Sequence, residues 1–206
     1  MDREEFMEKL KTAPRVLDIP ALKEQYHRFI LTSPFADEIT GQRQLIIFTE
    51  EVSELIVELC KDLSGNLDPI GILEELADIT ICMFNLADIC ELSHDELIGA
   101  IQEELQNRTG EAVFYQEPIR YWCKNPDIRR DFVINAIRTL SSMSQMVAKK
   151  IRGKATKEQI LPAAATILLI QDIRCLYRIT AEEYHAAINV KTDRGRRVLE
   201  ENGYYQ

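Results

Sequence analysis

Two short acidic motifs have the residue types and the spacing expected of a cation site. The first, Glu50–Glu54, reads EEVSE, and the second, Glu75–Asp78, reads ELAD. On an α-helix, with about 100° of rotation per residue, positions three apart lie about 60° apart on one face. Each motif therefore directs two carboxylates to the same side of its helix. Those sides also carry apolar residues, whereas a solvated acidic face would lie opposite the apolar stripe.

The spacing between the motifs predicts that their carboxylates meet. Twenty residues separate them, which is enough to complete one helix, turn at Leu63–Pro69 and return along an antiparallel helix. Carboxylates brought together in this way repel one another by about 4 kcal/mol per pair at about 4 Å and an effective dielectric of about 20. A cation is needed to offset that repulsion, and carboxylate oxygens suit Mg²⁺ or Mn²⁺. The predicted metal ligands are Glu51, Glu54, Glu75 and Asp78.

With both motifs in helical context, residues 41–108 resemble a known family, the all-α nucleoside triphosphate pyrophosphohydrolases (the MazG-like and dimeric-dUTPase-like superfamily). The resemblance implies a helical bundle that holds Mg²⁺, with Mn²⁺ as an alternative ion. It also implies hydrolysis of a nucleoside triphosphate, between the α- and β-phosphates, to the monophosphate and pyrophosphate. The chain lacks the tryptophan-rich segment of the dUTPase branch, which favours the MazG-like branch.

The resemblance also suggests roles for residues outside the four ligands. Glu50, one residue off the ligand face, is predicted to take the proton from the attacking water, since a free carboxylate there can act as a general base. Gln44 and Asn85 are predicted to line the nucleotide pocket, and the open alternative for Asn85 is that its amide bonds within the bundle. Asp172, which a shift of 87 residues aligns with Asn85, is expected to face the same cavity.

The segment 188–197, INVKTDRGRR, resembles the family's C-terminal stretch, where a lysine, an asparagine and an arginine reach the phosphates. The match is partial, because Asn189 precedes Lys191 instead of following it. Lys191 and Arg194 are the predicted phosphate contacts. The open alternative is that both are solvated cations near the end of a helix, where positive charge is favoured by the helix dipole.

An internal repeat organises the predicted domains. A shift of 87 residues aligns the apolar pattern of residues 81–101 with that of residues 168–188 without a gap. We therefore predict an all-α bundle of two tandem, diverged MazG-like halves that pack as an internal pseudo-dimer. The predicted segments are 1–37, an N-terminal helical arm; 38–112, the half with the metal motif; 113–127, a linker; and 128–206, a degenerate half. The four predicted ligands align with Arg138, Ser141, Pro162 and Ala165, so one metal cluster per chain is expected.

Composition narrows the function classes. A net charge of −9 argues against a surface for duplex nucleic acid. No apolar run reaches the roughly 18 residues of a membrane span, and the acidic N-terminus is unlike an export signal. The five cysteines form no C-x-x-C pair and are expected to be buried thiols of a cytoplasmic protein.

Two other classes of function are compatible with a helical bundle. One is a non-catalytic scaffold, or a nucleotide-binding regulatory protein, that keeps the fold. The other is a di-iron carboxylate bundle, which is disfavoured because it uses Glu-x-x-His pairs and neither Glu54 nor Glu75 has a histidine three residues on. Whether the chain acts alone or as a homodimer is left open by the sequence.

Overall fold

Helices make up almost all of the described part of the chain. The computed structural model describes residues 1–18, 20–22, 24, 39–93, 125–154 and 160–201, and these contain helices and turns but no β-strand. Six helices have described bounds: α1, Arg3–Thr12; α2, Ile39–Leu63; α3, Pro69–Ile89; α4, Pro126–Ile151; α5, Ile160–Leu176; and α6, Ala181–Glu201. Residues 20–22 and 24 are also helical. The predicted all-α class is confirmed. Residues 94–124, which include most of the predicted linker, lie outside the described residues.

The turn between α2 and α3 follows from its sequence. Gly65 has φ of 81°, a conformation that glycine adopts without strain, and the Asn66 N–H donates to the Lys61 carbonyl at 2.9 Å. Asp68 then caps α3, because its Oδ1 accepts from the Gly71 N–H at 3.0 Å, and Pro69 occupies the first helical position. This tight reversal makes α2 and α3 an antiparallel hairpin, as the motif spacing predicts.

The helices pack as two hairpins, α2–α3 and α4–α5. α6 packs against the first hairpin, and α1 packs against α6. α2 contacts both α3 and α4, α5 contacts α4 and α3, and α6 lies on α3 with α1 against it. Large side chains with at most 2% exposure fill the shared core, among them Phe6, Phe48, Leu55, Leu59, Ile72, Leu76, Leu140, Met143 and Leu169. No single helix among the described residues is long and apolar enough to cross a membrane. Taken together, α5 and residues 181–198, which are bent by 118° relative to each other, are long and apolar enough by length and composition alone.

Corresponding features of the two hairpins are 87 residues apart. Shifting α2 by that number gives 126–150, and α4 is Pro126–Ile151; the last residue of α3 shifts onto the last residue of α5. Glu91 and Arg178, the two described non-glycine residues with positive φ, have values of 55° and 57°. The N–H after each of them, from Leu92 and Ile179, donates to a carbonyl five residues back at 3.0 and 2.9 Å. Both hairpins therefore end in the same turn.

Two of the four described cysteines are exposed, whereas all five were predicted to be buried thiols. Cys82 and Cys90 are buried, and burial raises the pKa of both thiols. Cys60 and Cys175 are exposed, because each lies on the outer side of its helix, next to a buried or half-buried leucine that faces inward. The expectation of burial is wrong for these two, and Cys123 lies outside the described residues.

Asn189 fastens the N-terminal segment to α6. Its buried side chain donates to the Pro14 and Val16 carbonyls at 2.9 and 2.8 Å, and its Oδ1 accepts from the Asp18 N–H at 3.0 Å. All three bonds join residues more than 170 positions apart in sequence. The path of residues 14–18 is thereby fixed to the helix that also carries Lys191.

Replacing Asn189 with alanine should loosen this segment. The substitution leaves two carbonyls and one N–H without their partner, and we expect the free energy of unfolding to fall by about 2–3 kcal/mol. Urea denaturation measures the loss, and limited proteolysis should cut near residues 13–18 in the variant. Glu200→Ala, at an exposed position on the same helix, is the control. Equal stability and equal protease resistance in the two variants would contradict the proposed anchoring.

Candidate metal centre

Three of the four predicted ligands converge. One carboxylate oxygen from each of Glu51, Glu54 and Glu75 lies within 4.8 Å of the other two. α2 supplies Glu51 and Glu54 from one face, and the antiparallel α3 brings Glu75 level with them. Glu51 and Glu75 are half-buried, whereas Glu54 is exposed. This glutamate triad is therefore set into the hairpin on one side and accessible on the other.

The pKa values of Glu51 and Glu75 are raised, as expected for half-buried carboxyl groups that crowd one another. Burial, reinforced by the charges of Asp78 and Glu54, raises the pKa of Glu51 to about 7. The same causes raise the pKa of Glu75 to about 8. The Oε2 atom of Glu75 is buried and has no hydrogen-bond partner. Oxygen donors that are close, partly desolvated and incompletely bonded match the ligand preference of a hard divalent cation.

Asp78, the fourth predicted ligand, lies beside the triad and is bonded to a lysine. Lys191 Nζ is 2.5 Å from Asp78 Oδ2 and 2.7 Å from Glu74 Oε1. Burial raises the pKa of Asp78, and the Lys191 ammonium opposes that rise. Burial alone would lower the pKa of Lys191, but Asp78 and Glu74 raise it overall, so the lysine stays charged. A cation from α6 is thus placed against the second acidic motif.

Gln44 and Asn85, both predicted to line the pocket, contact each other. The Asn85 Nδ2 donates to Gln44 Oε1 at 3.2 Å, and Gln44 is only 2% exposed. Each lies seven residues, or two helical turns, from an acid of the cluster, Gln44 before Glu51 and Asn85 after Asp78. The amide pair and the acids therefore lie along the same side of the α2–α3 hairpin.

The remaining predicted site residues lie on three different helices and differ in exposure. Glu50 is exposed, and its charge contributes to the raised pKa of Glu51. Arg194 is exposed on α6, and its charge lowers the pKa of Asp78. Asp172 is half-buried on α5. Lys150, which could also have supplied positive charge, is bonded to Glu91 at 2.8 Å.

Sequence reasoning missed Glu74, Arg3 and Phe6. Glu74 lies one turn before Asp78, and this spacing of four was the signal that could have placed both carboxylates at one cation. Arg3 forms an ion pair with Asp68, and the Phe6 ring centroid is 5.5 Å from Lys191 Nζ. No motif marked the arm as part of the site, because its contribution depends on α1 packing against α6.

Without metal, the protein should become less stable as the pH rises. The folded-state pKa values of Glu51 and Glu75 exceed the usual value of 4.5, so between about pH 5 and 8 the folded chain binds more protons than the unfolded one. We expect the free energy of unfolding to fall by about 2 kcal/mol in total, after allowance for solvent screening of partly exposed carboxylates. Thermal scans in chelator at constant ionic strength measure it. The fall should be shallower in Glu51→Gln, and a stability that rises through this range would contradict the assignment.

Comparison with known proteins adds no family assignment. No protein-family model, curated protein or solved structure matches the chain. The family resemblance rests on the two acidic motifs and their spacing.

Proposed function

We propose that this chain is a Mg²⁺-dependent nucleoside triphosphate pyrophosphohydrolase of the MazG-like type. The observation that carries the proposal is the glutamate triad, in which oxygens of Glu51, Glu54 and Glu75 lie within 4.8 Å of one another on two antiparallel helices. The motif pattern that resembles the family is the one that supplies these three side chains. Hydrolysis of a phosphoanhydride is a chemistry that such a site can serve, because most of the catalysis is positioning and neutralisation of charge.

The triad would hold the ion. Its donors are all carboxylate oxygens, two of its three members are half-buried, and Glu75 Oε2 has no hydrogen-bond partner. A divalent cation held by Glu51, Glu54 and Glu75 would supply positive charge to orient the phosphates and to neutralise the charge that develops on them. Mn²⁺ has the same preference for oxygen ligands and should substitute.

The protein's own side chains would supply the other functions. Glu50, an exposed carboxylate next to the triad, is proposed to accept the proton of the attacking water. Asn85, half-buried on the same side of the hairpin, is proposed to contact the nucleotide, and the buried Gln44 that accepts from its amide is proposed to form the wall behind it. Arg194 is proposed to offset phosphate charge, since it is exposed and close enough to Asp78 to lower that group's pKa. Asp172 is proposed to lie on the far wall of the pocket.

We further propose that the chain consists of two diverged halves that pack as an internal pseudo-dimer. The matching bounds of α2 and α4 and the identical turns at Glu91 and Arg178 support this proposal. The second half has Arg138, Ser141, Pro162 and Ala165 at the positions of the four acids. One metal cluster per chain follows, in a cytoplasmic enzyme whose partner is a nucleoside triphosphate and not a nucleic acid duplex.

Product analysis tests the activity. Each of a panel of nucleoside triphosphates is incubated with the protein and Mg²⁺, and the products are separated by anion exchange. The proposal requires monophosphate and pyrophosphate in equal amounts from at least one nucleotide, and none when Mg²⁺ is replaced by chelator. Diphosphate and orthophosphate would indicate a different reaction, and intact nucleotides throughout would leave a non-catalytic scaffold as the better account.

A further inference from the structure

The acids between α2 and α3 form two groups, and they differ in whether a lysine is bonded to them. The glutamate triad is one group, and its oxygens have no cation bonded to them among the ion pairs of the described residues. Glu74 and Asp78, one helical turn apart on α3, form the other group. Both of these carboxylates bond the same ammonium, that of Lys191, at 2.7 and 2.5 Å.

Lys191 is held at this position from several directions. Its side chain is only 5% exposed. The ring of Phe6, itself completely buried, lies over the ammonium with its centroid 5.5 Å from Nζ, which is within the range of a cation–π contact. Arg3 at the start of α1 is bonded to Asp68, and Asn189 fastens the segment that follows α1. The ammonium is thus a fixed part of the fold, unlike a lysine that samples solvent.

An ammonium in this place occupies the oxygens that a metal ion would need. It has three donors and no acceptor, and two of those donors are directed at Asp78 and Glu74. A divalent ion bound to the same two carboxylates would also meet the repulsion of the lysine charge. Glu74 and Asp78 are therefore not available to a second cation, and the two groups of acids together can bind one divalent ion. Its ligands would be the three glutamates of the triad.

We propose that Lys191 is a built-in cation that fills the Glu74 and Asp78 half of the cluster, so that the nucleotide-free protein binds a single divalent ion, at Glu51, Glu54 and Glu75. In this arrangement Asp78, which its motif marks as a metal ligand, is a partner of Lys191 instead. The inference rests on the proposed metal site but not on the reaction. It also gives the N-terminal helix a part in the site, since the ring of Phe6 lies over the Lys191 ammonium.

Titration with Mn²⁺, with the free ion followed by electron paramagnetic resonance and no nucleotide present, tests the inference. Wild type should bind one ion per chain. Lys191→Met should bind two, because Glu74 and Asp78 become available, whereas Arg197→Met, which removes an exposed cation of the same helix, should still bind one. Two ions in wild type, or one in Lys191→Met, would overturn the inference and leave the proposed function standing.

A second pair of variants keeps the test decisive if Lys191→Met does not fold. Asp78→Asn preserves the shape of the side chain and should still bind one Mn²⁺, with an affinity within about tenfold of wild type, at the low end of what partners outside the ligand set cost. Glu75→Gln should lose Mn²⁺ binding. Equal loss in both variants would make Asp78 a ligand and overturn the inference. No binding in wild type would overturn both the inference and the proposed function.

Discussion

Glu75→Gln should abolish nucleotide hydrolysis while making the metal-free protein more stable at alkaline pH. Glu75 is half-buried among other carboxylates, its pKa is raised to about 8 and one of its oxygens has no partner. An uncharged amide of similar shape removes both the cost of burying the charge and the repulsion with Glu51 and Glu54. In chelator at pH 9 we expect the melting temperature to rise by about 2–6 °C. For a chain of this size, each kcal/mol added to the free energy of unfolding raises the melting temperature by about 2–4 °C.

The opposite signs of the two effects make this prediction specific. A residue that matters only for folding would lower activity and stability together. Asp131→Asn, which neutralises an exposed acid on α4, should change neither activity nor melting temperature. Strong destabilisation of Glu75→Gln in chelator would instead identify Glu75 as the structural partner of a basic residue.

Lys191→Met should have the largest effect on stability. The substitution leaves Glu74 and Asp78 charged, mostly withdrawn from water and without the ammonium they share. Removing one partner of such a pair costs about 3–5 kcal/mol. Lys191 also opposes the raised pKa values of Glu51 and Glu75, so its loss should raise both further. Urea denaturation in chelator at pH 8 measures the loss of stability.

A double-variant cycle separates the ion pairs from the packing of the lysine stem. Asp78→Asn in the Lys191→Met background removes one of the two orphaned charges, so the double variant should be more stable than Lys191→Met alone. Added Mn²⁺ should also restore part of the stability, because the ion replaces the missing cation. Additive effects of the two substitutions would mean that Lys191 and Asp78 do not interact, contrary to the structure.

The local features were predictable because the sequence encodes them over short distances. The spacing of the acidic motifs and the turn at Leu63–Pro69 predicted the α2–α3 hairpin, and the hairpin alone brings Glu75 to Glu51 and Glu54. The all-α class followed from the same apolar periodicity. These inferences needed only the geometry of one helix and one turn.

The partners of Asp78 could not be predicted in the same way. Lys191 was expected to contact phosphate, and its position against Asp78 and Glu74 depends on how α6 packs on α3, more than one hundred residues away in the chain. The covering of Lys191 by Phe6 depends in addition on α1 packing on α6. Periodicity identifies which face of a helix is buried, but it does not say which helix will cover it. The exposed Cys60 and Cys175 show the related limit that a small apolar residue can lie on either face.

The position of a bound Mn²⁺ ion would show directly whether Glu51, Glu54 and Glu75 form a metal site. Crystals of the wild-type protein grown with Mn²⁺ would be measured near the manganese absorption edge, and an anomalous difference map would locate the ion without reference to activity. We expect one strong peak per chain in contact with Glu51, Glu54 and Glu75, with Lys191 still bonded to Asp78. A map with no peak at the triad, or with the ion held elsewhere, would contradict it.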